Sequence, residues 1–366
     1  MTRTTLFQDL DALLEPIGDG ASIVVPTETN GVAMAATRAL IRKGVKDLTL
    51  VGGPTSGLQV DLLIGAGVVS TIECAAVSLG EFGIGPRFRA AAEAGRLTIR
   101  ETTCPAVHAA LQAGEKGNPF MPLRGIVGSD LLERRPDWRV IDNPFASEGT
   151  HDPIVLLPAI TPDFALFHAA LADVHGNVWV GRRREIMTMA HAAGRALVTV
   201  EGIYDGDLLA DETMAPGTLP ALYVEGLSVQ EKGSWPLGFA DAYPTDAPHM
   251  RAYVAAAKSE EGFARYYPGN PPEARERLEY EMRVIGEMGF VTYFLITWDL
   301  IAHARRVAEG SLIIDNLRGA AGAPRRVRRP HQAADAVVEL GPRGRRQVLH
   351  QSRGSGVAAA ARVVSP

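Results

Sequence analysis

Residues 21–53 read ASIVVPTETNGVAMAATRALIRKGVKDLTLVGG. Two β-rich runs flank one helical run. Ala21-Ser22-Ile23-Val24-Val25-Pro26 predicts a strand that proline ends, because proline cannot donate to a ladder. Val32–Lys43 predicts a helix with Asn30 as its N-cap and Gly44 as its stop. Asp47–Val51 predicts a second, buried strand, followed by the glycine turn Gly52-Gly53-Pro54. Strand, helix and strand within about thirty residues make a βαβ unit.

The same alternation continues outward. Val68–Ile72 and Leu97–Arg100 read as strands, Pro86–Ala94 and Ala106–Ala113 as helices. Further strands are expected at Ile154–Leu157, Phe164–Leu171, Val178–Val180 and Ala196–Val200, with a helix at Met187–Ala193 between the last two. The fold class is therefore α/β, a mainly parallel sheet with helices on both faces. No repeat of 20–50 residues is present.

The chain has 366 residues, 46% of them hydrophobic and 22% charged, which is ordinary for a soluble globular protein of about two domains. Cys74 and Cys104 are the only cysteines, too few for a disulfide framework, and they fit a reducing, cytoplasmic compartment. Met1 to Gly20 is acidic and amphipathic without an apolar core run, so no signal peptide is expected. No run approaches the roughly 18 apolar residues of a membrane span.

The net charge of −5 hides a split. Arg318–Pro366 holds ten arginines and two acids, a net of +8, which leaves −13 for the rest. No aromatic residue follows Trp298. Packed domains draw much of their buried area from aromatics, so the tail is expected to be disordered. It reads either as a basic arm touching nucleic acid or as a solvated, even non-native, extension. Ahead of it, Pro268-Gly269-Asn270-Pro271-Pro272 is a linker signal. Glu273–Gly286 then predicts a helix with Leu278, Met282 and Ile285 on one face, and an apolar stretch runs from Phe290 to Ile301.

In parallel sheets, ligands sit beyond the carboxyl ends of the strands. Four stretches are candidates: Thr27–Gly31; Gly52–Gly57; Phe120–Asp130, which reads as a loop; and Ala172-Asp173-Val174-His175-Gly176-Asn177, which also reads as a plain hairpin turn. Backbone N–H groups at glycine turns can hold a phosphate or an oxyanion, though a tight turn alone also explains glycine. No strand is followed by G-x-G-x-x-G and no phosphate loop exists, which disfavours nicotinamide and nucleoside-triphosphate enzymes. The nine histidines lack zinc-site spacing, so no metal is expected. Glu73 and Glu81 read as surface or loop carboxylates, with a general base as the functional alternative. Arg182-Arg183-Arg184-Glu185 reads as a charged helix start or a phosphate contact. Gly83-Ile84-Gly85-Pro86-Arg87 reads as a turn or a phosphate cradle at a helix N-terminus.

Taken together, four stretches resemble the α-subunit of family I coenzyme A transferases, in the glutaconate CoA-transferase branch. They are Leu48-Thr49-Leu50-Val51-Gly52-Gly53; Pro119-Phe120-Met121-Pro122 with Gly128-Ser129-Asp130; Ala172–Asn177; and Met189-Ala190-His191-Ala192-Ala193 leading to Val198-Thr199-Val200-Glu201. The match covers about residues 6–267. The resemblance implies an active site between this chain and a β-like partner. A glutamate of that partner would form an acyl–glutamyl anhydride and then a glutamyl–CoA thioester. No catalytic residue is then expected in this chain, no cofactor is bound, and the CoA thioester is substrate. Gly52, Gly53, Ser78, Gly128 and Ser129 are expected near the pocket. In a ring-opening hydrolase branch, an acid of the α-type chain acts just after the strand matching Leu97–Glu101. Cys104 stands at about that place here, so Glu101 and Cys104 are the backups, with a buried, inert thiol the commoner reading of Cys104.

Ala274–Glu281, with Ile285, Met288-Gly289-Phe290, Tyr293–Ile296 and Trp298-Asp299, resembles a short helical stretch of bacterial DNA polymerase III α-subunits. The acids that polymerisation needs are missing, so polymerase activity is not expected. The expected organisation is 1–267 transferase-like, 268–308 a helical polymerase-like segment and 309–366 a basic tail. A chimeric gene product or a non-catalytic scaffold is the alternative to an enzyme. The expected partners are a β-like chain, an acyl-CoA and a carboxylic acid, with neither membrane nor nucleic acid.

Overall fold

The computed structural model describes residues 5–7, 9–28, 31–240, 242–267 and 269–298. The expected Asn30 cap, the tail 309–366 and the end of the 268–308 segment lie outside the described residues.

The first half of the chain alternates strands and helices. These are β1 (Thr5–Phe7), α1 (Leu10–Leu14), β2 (Ser22–Val25), α2 (Met34–Lys43), β3 (Leu48–Gly52), α3 (Leu58–Gly65), β4 (Val69–Cys74), α4 (Pro86–Glu93), β5 (Thr98–Glu101) and α5 (Cys104–Glu115). Gly44 caps α2 in the left-handed region at φ 74°, as its sequence position requires. Helix α3 was not legible: LQVDLLIG is apolar nearly all round and buries six of its eight residues.

The chain then leaves the main sheet. Strands β6 (Phe120–Leu123), β7 (Arg139–Asp142) and β8 (Pro153–Pro158), with α6 (Leu131–Arg134) between the first two, form an antiparallel sheet in the order β6-β8-β7. The loop expected at Phe120–Asp130 is thus corrected at its start. Phe120–Leu123 pairs with Val155–Pro158, and Pro122 is tolerated because β6 lies at an edge. This small sheet packs Val155, Leu157 and Trp138 on Ala106, Ala109 and Ala110 of α5.

The chain re-enters through β9 (Phe164–Asp173), β10 (Val178–Trp179), α7 (Arg184–Ala192), β11 (Arg195–Tyr204), β12 (Thr218–Leu219) and β13 (Val224–Val229). Among the described residues ten strands share the main sheet. Its parallel path runs β1-β13-β11-β9-β2-β3-β4-β5, with β10 and β12 antiparallel at the end of β9. Strand side chains alternate between the two faces. Ile23, Val25, Phe164 and Leu166 join the core under α1–α4, while Val24, Ala165, Phe167 and Ala169 join the one under α5 and α7. Both faces are therefore covered, as a parallel sheet requires.

The winding reverses between β2 and β9. The first half steps from β2 towards β5, and the second starts beside β2 and steps from β9 towards β13. That reversal opens a crevice above the carboxyl ends of β2 and β9. Helix α8 (Ala247–Tyr266) covers α3 and α4, where the Tyr253 hydroxyl donates to Asp61 Oδ2 at 2.7 Å. Helix α9 (Pro272–Glu287) packs on α8, with Arg275 paired to Glu260 at 2.6 Å and the Ser259 hydroxyl donating to Met282 Sδ at 2.9 Å. Leu278, Met282 and Ile285 are half-buried, so this helix seats only part of its apolar face.

Candidate active site

Three loops meet at the crevice, after β2, β3 and β4. The Glu28 N–H donates to Thr55 O at 2.9 Å, which ties the first loop to the second. The glycines make this approach possible. A Cβ on Gly57 would lie 2.8 Å from Glu28 Cα and O, and one on Gly53 2.8 Å from Thr27 N. The Gly53 N–H is itself donated to Val25 O at 2.9 Å. Gly52 ends β3 against Ser56, whose buried Oγ has no partner among the described residues.

The third loop supplies Ser78. Its hydroxyl donates to Glu28 Oε1 at 3.2 Å and accepts the Gly80 N–H at 3.0 Å. Gly80 sits at φ +62°, a position that disfavours any side chain. A cavity of about 200 Å³ lies over this junction. Leu58, Leu79, Phe82 and Leu237 line it together with Glu28, Gly80, Glu81 and Thr245. Glu28 belongs to the candidate stretch Thr27–Gly31, to which the sequence assigns no role residue by residue. Nothing separates a glutamate in a turn from a solvated one until the loops are placed.

Ser78 thus binds Glu28, Gly53 packs on Thr27 and Gly52 on Ser56, but none of Gly52, Gly53 and Ser78 itself lines the cavity. Gly128 and Ser129 belong to the turn before α6, and neither lines the cavity. The Ser129 hydroxyl accepts the Leu131 N–H at 3.3 Å. Glu101 ends β5 and its carboxylate is paired with Arg134 at 2.6 Å. Cys104 opens α5, where Thr103 caps the helix by accepting the Ala106 N–H. The Cys104 thiol donates to Pro54 O at 3.2 Å and is exposed, so the buried-thiol reading is overturned for it. Cys74 is the buried thiol: burial, then the Glu73 charge, push it up to about 12.

Other expectations resolve into structure. Glu73 is not a surface carboxylate. It is buried against Arg135 at 2.9 Å, and Arg135 also holds Asp137 at 2.8 Å and stacks over Trp138. Burial raises the Glu73 carboxyl despite that guanidinium. The candidate cradle at Gly83–Arg87 is already filled. Asp61 Oδ1 accepts the Phe88 N–H at 2.7 Å, and a Cβ on Gly85 would meet the same oxygen at 2.6 Å. The Ala172–Asn177 stretch is a hairpin turn between β9 and β10. Asp173 accepts the N–H groups of His175, Asn177 and Leu208 and the Asn177 amide, all at 2.8–3.0 Å. Burial alone would raise the Asp173 carboxyl, but these four donors hold it below the usual carboxylate range.

One network escaped the sequence reading. His168, fully buried on β9, binds Thr199 Oγ1 at 2.9 Å and Glu201 Oε1 at 2.7 Å. Glu201 also accepts the Tyr243 hydroxyl at 2.6 Å and the Lys232 N–H at 2.8 Å. Burial opposes the Glu201 charge, yet the donors keep its carboxyl low. This network pins the segment that carries Leu237 to the cavity wall. Register made it: Thr199 faces His168 across the β9–β11 pair. Among the described residues no group of His, Cys, Asp and Glu is placed to hold a metal ion, and no helix is long and apolar enough to cross a membrane.

A doubly wound α/β protein with its cavity beyond the carboxyl ends of its strands is a ligand-binding class shared by many chemistries. The comparison with protein families narrows it: the coenzyme A transferase model matches residues 7–223, and the chain belongs to that family. It is 34% identical over 259 residues to the A-type chain of 3-oxoadipate CoA-transferase from Pseudomonas knackmussii, covering 68% of this chain and 87% of that one. It is 29% identical over 273 residues to the A-type chain of glutaconate CoA-transferase from Acidaminococcus fermentans, covering 69% and 83%. The crystal structure of that glutaconate enzyme superposes with a TM-score of 0.65 at 26% identity, over 72% of this chain and 87% of the other. An uncharacterized protein of Archaeoglobus fulgidus is 32% identical over 240 residues, and this chain spans 52% of its length. The bacterial DNA polymerase III alpha NTPase domain model matches residues 253–323, starting inside α8.

Proposed function

We propose that residues 1–267 act as the α-type half of a two-chain CoA transferase of the cytoplasm, moving CoA between an acyl-CoA and a carboxylic acid. The observation that carries this reading is the family match over a fold whose cavity opens beyond the carboxyl ends of β2 and β4. The nucleophile is a glutamate of a β-like partner. Its carboxylate attacks the thioester carbonyl, and CoA thiolate leaves, giving an acyl–glutamyl anhydride. The thiolate then attacks the glutamyl carbonyl and expels the first acid. The acceptor acid reverses both steps on the glutamyl–CoA thioester. Each intermediate stays activated, so no metal or bound cofactor is required. This chain supplies part of the pocket, with the Gly52-Gly53 turn and Ser78 behind Glu28; Gly128 and Ser129 belong to the turn before α6 and stay outside the cavity lining. The segments 268–308 and 309–366 are additions to that unit.

The test is co-expression of the full chain with its β-like partner, turnover of acyl-CoA and acceptor-acid pairs, and borohydride or hydroxylamine trapping. CoA passed to an acid, with a glutamyl adduct on the partner, supports the reading. Loss of the ester to water without an adduct replaces it with hydrolysis and directs attention to Glu101 and Cys104. No turnover with any pair favours the scaffold or chimeric product.

A further inference from the structure

We infer that residues 272–298 are a releasable cover on the transferase-like unit, seated on the apolar cluster that carries one wall of the cavity. The inference does not depend on which reaction the unit performs. Residues 1–299 group into one compact unit, so the chain does not leave it at the linker signal Pro268–Pro272. Helix α9 lies on α8, where the Arg275 guanidinium pairs with Glu260 and stacks 4.2 Å over the Phe263 ring. Gly289 then takes φ +69°, the left-handed region in which a glycine ends a helix and turns the chain. Its N–H donates to Gly286 O at 3.1 Å and the Phe290 N–H to Ile285 O at 3.0 Å, which closes the end of α9. Residues 290–298 return towards α8. Leu295 packs on the buried cluster that holds Leu58, Leu79, Leu237, Met250 and Val254. A Cβ on Gly262 of α8 would lie 3.5 Å from the Trp298 ring. Leu58, Leu79 and Leu237 also line the cavity, so the seat of the cover and the cavity wall are one cluster.

The seat is shallow. Met288, Phe290, Tyr293 and Ile296 are each more than half exposed, so the stretch leaves much of its apolar surface outside. Among the described residues, the hydrogen bonds of 288–298 stay within α9 and the stretch itself. Strands β9 and β11, by contrast, lie inside the sheet with both faces covered. A segment held by few buried apolar contacts opens at a lower cost than the core it rests on. A free extension would expose Leu295 and Trp298, and both are partly buried. The polymerase-like stretch therefore acts here as a conformational part of the transferase-like unit: seated, it holds the cluster under Leu58, Leu79 and Leu237, and released, it loosens that wall.

The test is hydrogen–deuterium exchange, read by mass spectrometry, on the full chain, unaltered and with Leu295→Asp or Gly289→Val. The first variant puts a charge on the seat, and the second forces a β-branched residue into the left-handed region. In the unaltered chain, amides of 272–298 are expected to exchange at least about a hundredfold faster than those of β9 and β11. Each variant is expected to speed exchange in the peptides holding Leu58, Leu79 and Leu237 by at least about tenfold, with β9 and β11 unchanged. Equal protection of 272–298 and the sheet overturns the releasable cover. Unchanged exchange around Leu58, Leu79 and Leu237 in either variant overturns its seat on the cavity wall. Loss of protection in β9 and β11 as well overturns it too, because a cover that the sheet cannot spare is not releasable.

Discussion

The β9–β10 turn and the β2–β3–β4 loop junction differ in how they use their polar groups. At the turn, Asp173 takes four donors and Asn177 Oδ1 accepts the Ala221 N–H at 2.9 Å, so the motif is closed on itself. At the junction, Glu28 accepts one described side-chain bond, from Ser78, and faces a cavity. The turn is one of the four stretches that carry the family resemblance, yet it is structural. The junction looked ordinary and carries the space for a ligand. A strong sequence signature marks where the backbone has few alternatives, and the place of chemistry is marked by capacity left unused.

Substituting the closed side of that comparison should cost most. Asp173→Ala orphans three backbone N–H groups and the Asn177 amide in a buried turn. At about 1–3 kcal/mol per unsatisfied group, partly relieved by water, a loss of about 3 kcal/mol is expected. A urea midpoint that falls by less than a third of this at unchanged slope would break the contrast. Gly57→Ala should follow, at about 2 kcal/mol, because the new Cβ meets Glu28 backbone rather than a movable side chain. Its crystal structure should show the Glu28 loop displaced and the cavity reshaped. An unshifted loop would remove the packing reason for glycine there.

Charge sharpens the comparison. The Asp61 carboxyl is raised by burial, against the Phe88 N–H and the Tyr253 hydroxyl. The folded state therefore holds its proton more tightly than the unfolded one. The stability it contributes is present below the unfolded pKa and is lost as pH rises through the folded one. Asp173, held low, behaves oppositely: its contribution is present above the unfolded pKa and is lost as pH falls through the folded one. Asp61→Asn should thus change stability by less than about 1 kcal/mol at pH 7 and flatten the decline above pH 4. A steeper decline in this variant would reverse the sign. Ser78→Ala should be mildest, about 0.5 kcal/mol, since Glu28 can turn to water. A larger drop would mean that the junction is as closed as the turn.

Much of the main sheet was legible. Ile23-Val24-Val25 and Leu48–Val51 are short apolar runs bounded by Pro26 and Gly52-Gly53, and buried strands leave little else for such runs to be. Pro86 at the first turn of α4 and Gly44 after α2 set helix ends through local geometry alone. The antiparallel sheet was missed because β7 exposes all four of its residues, so no apolar period marks it. Its place is fixed by ladder bonds to β8, which lies eleven residues further on. The site divides in the same way: the glycine turn was visible in the chain, and its contact with Glu28 was not.

Composition and local pattern determined the α/β class, the helix ends and the hairpin at Asp173–Asn177. Each depends on neighbours a few residues apart, where dihedral preference and side-chain period act. Tertiary structure alone decided that Cys104 is exposed and Cys74 buried, that Glu73 meets Arg135, that Ser78 binds Glu28, and that Glu28 shares a cavity with Leu237. Those pairings join residues from about fifty to two hundred positions apart, brought together by burial of both sheet faces and by the reversal between β2 and β9.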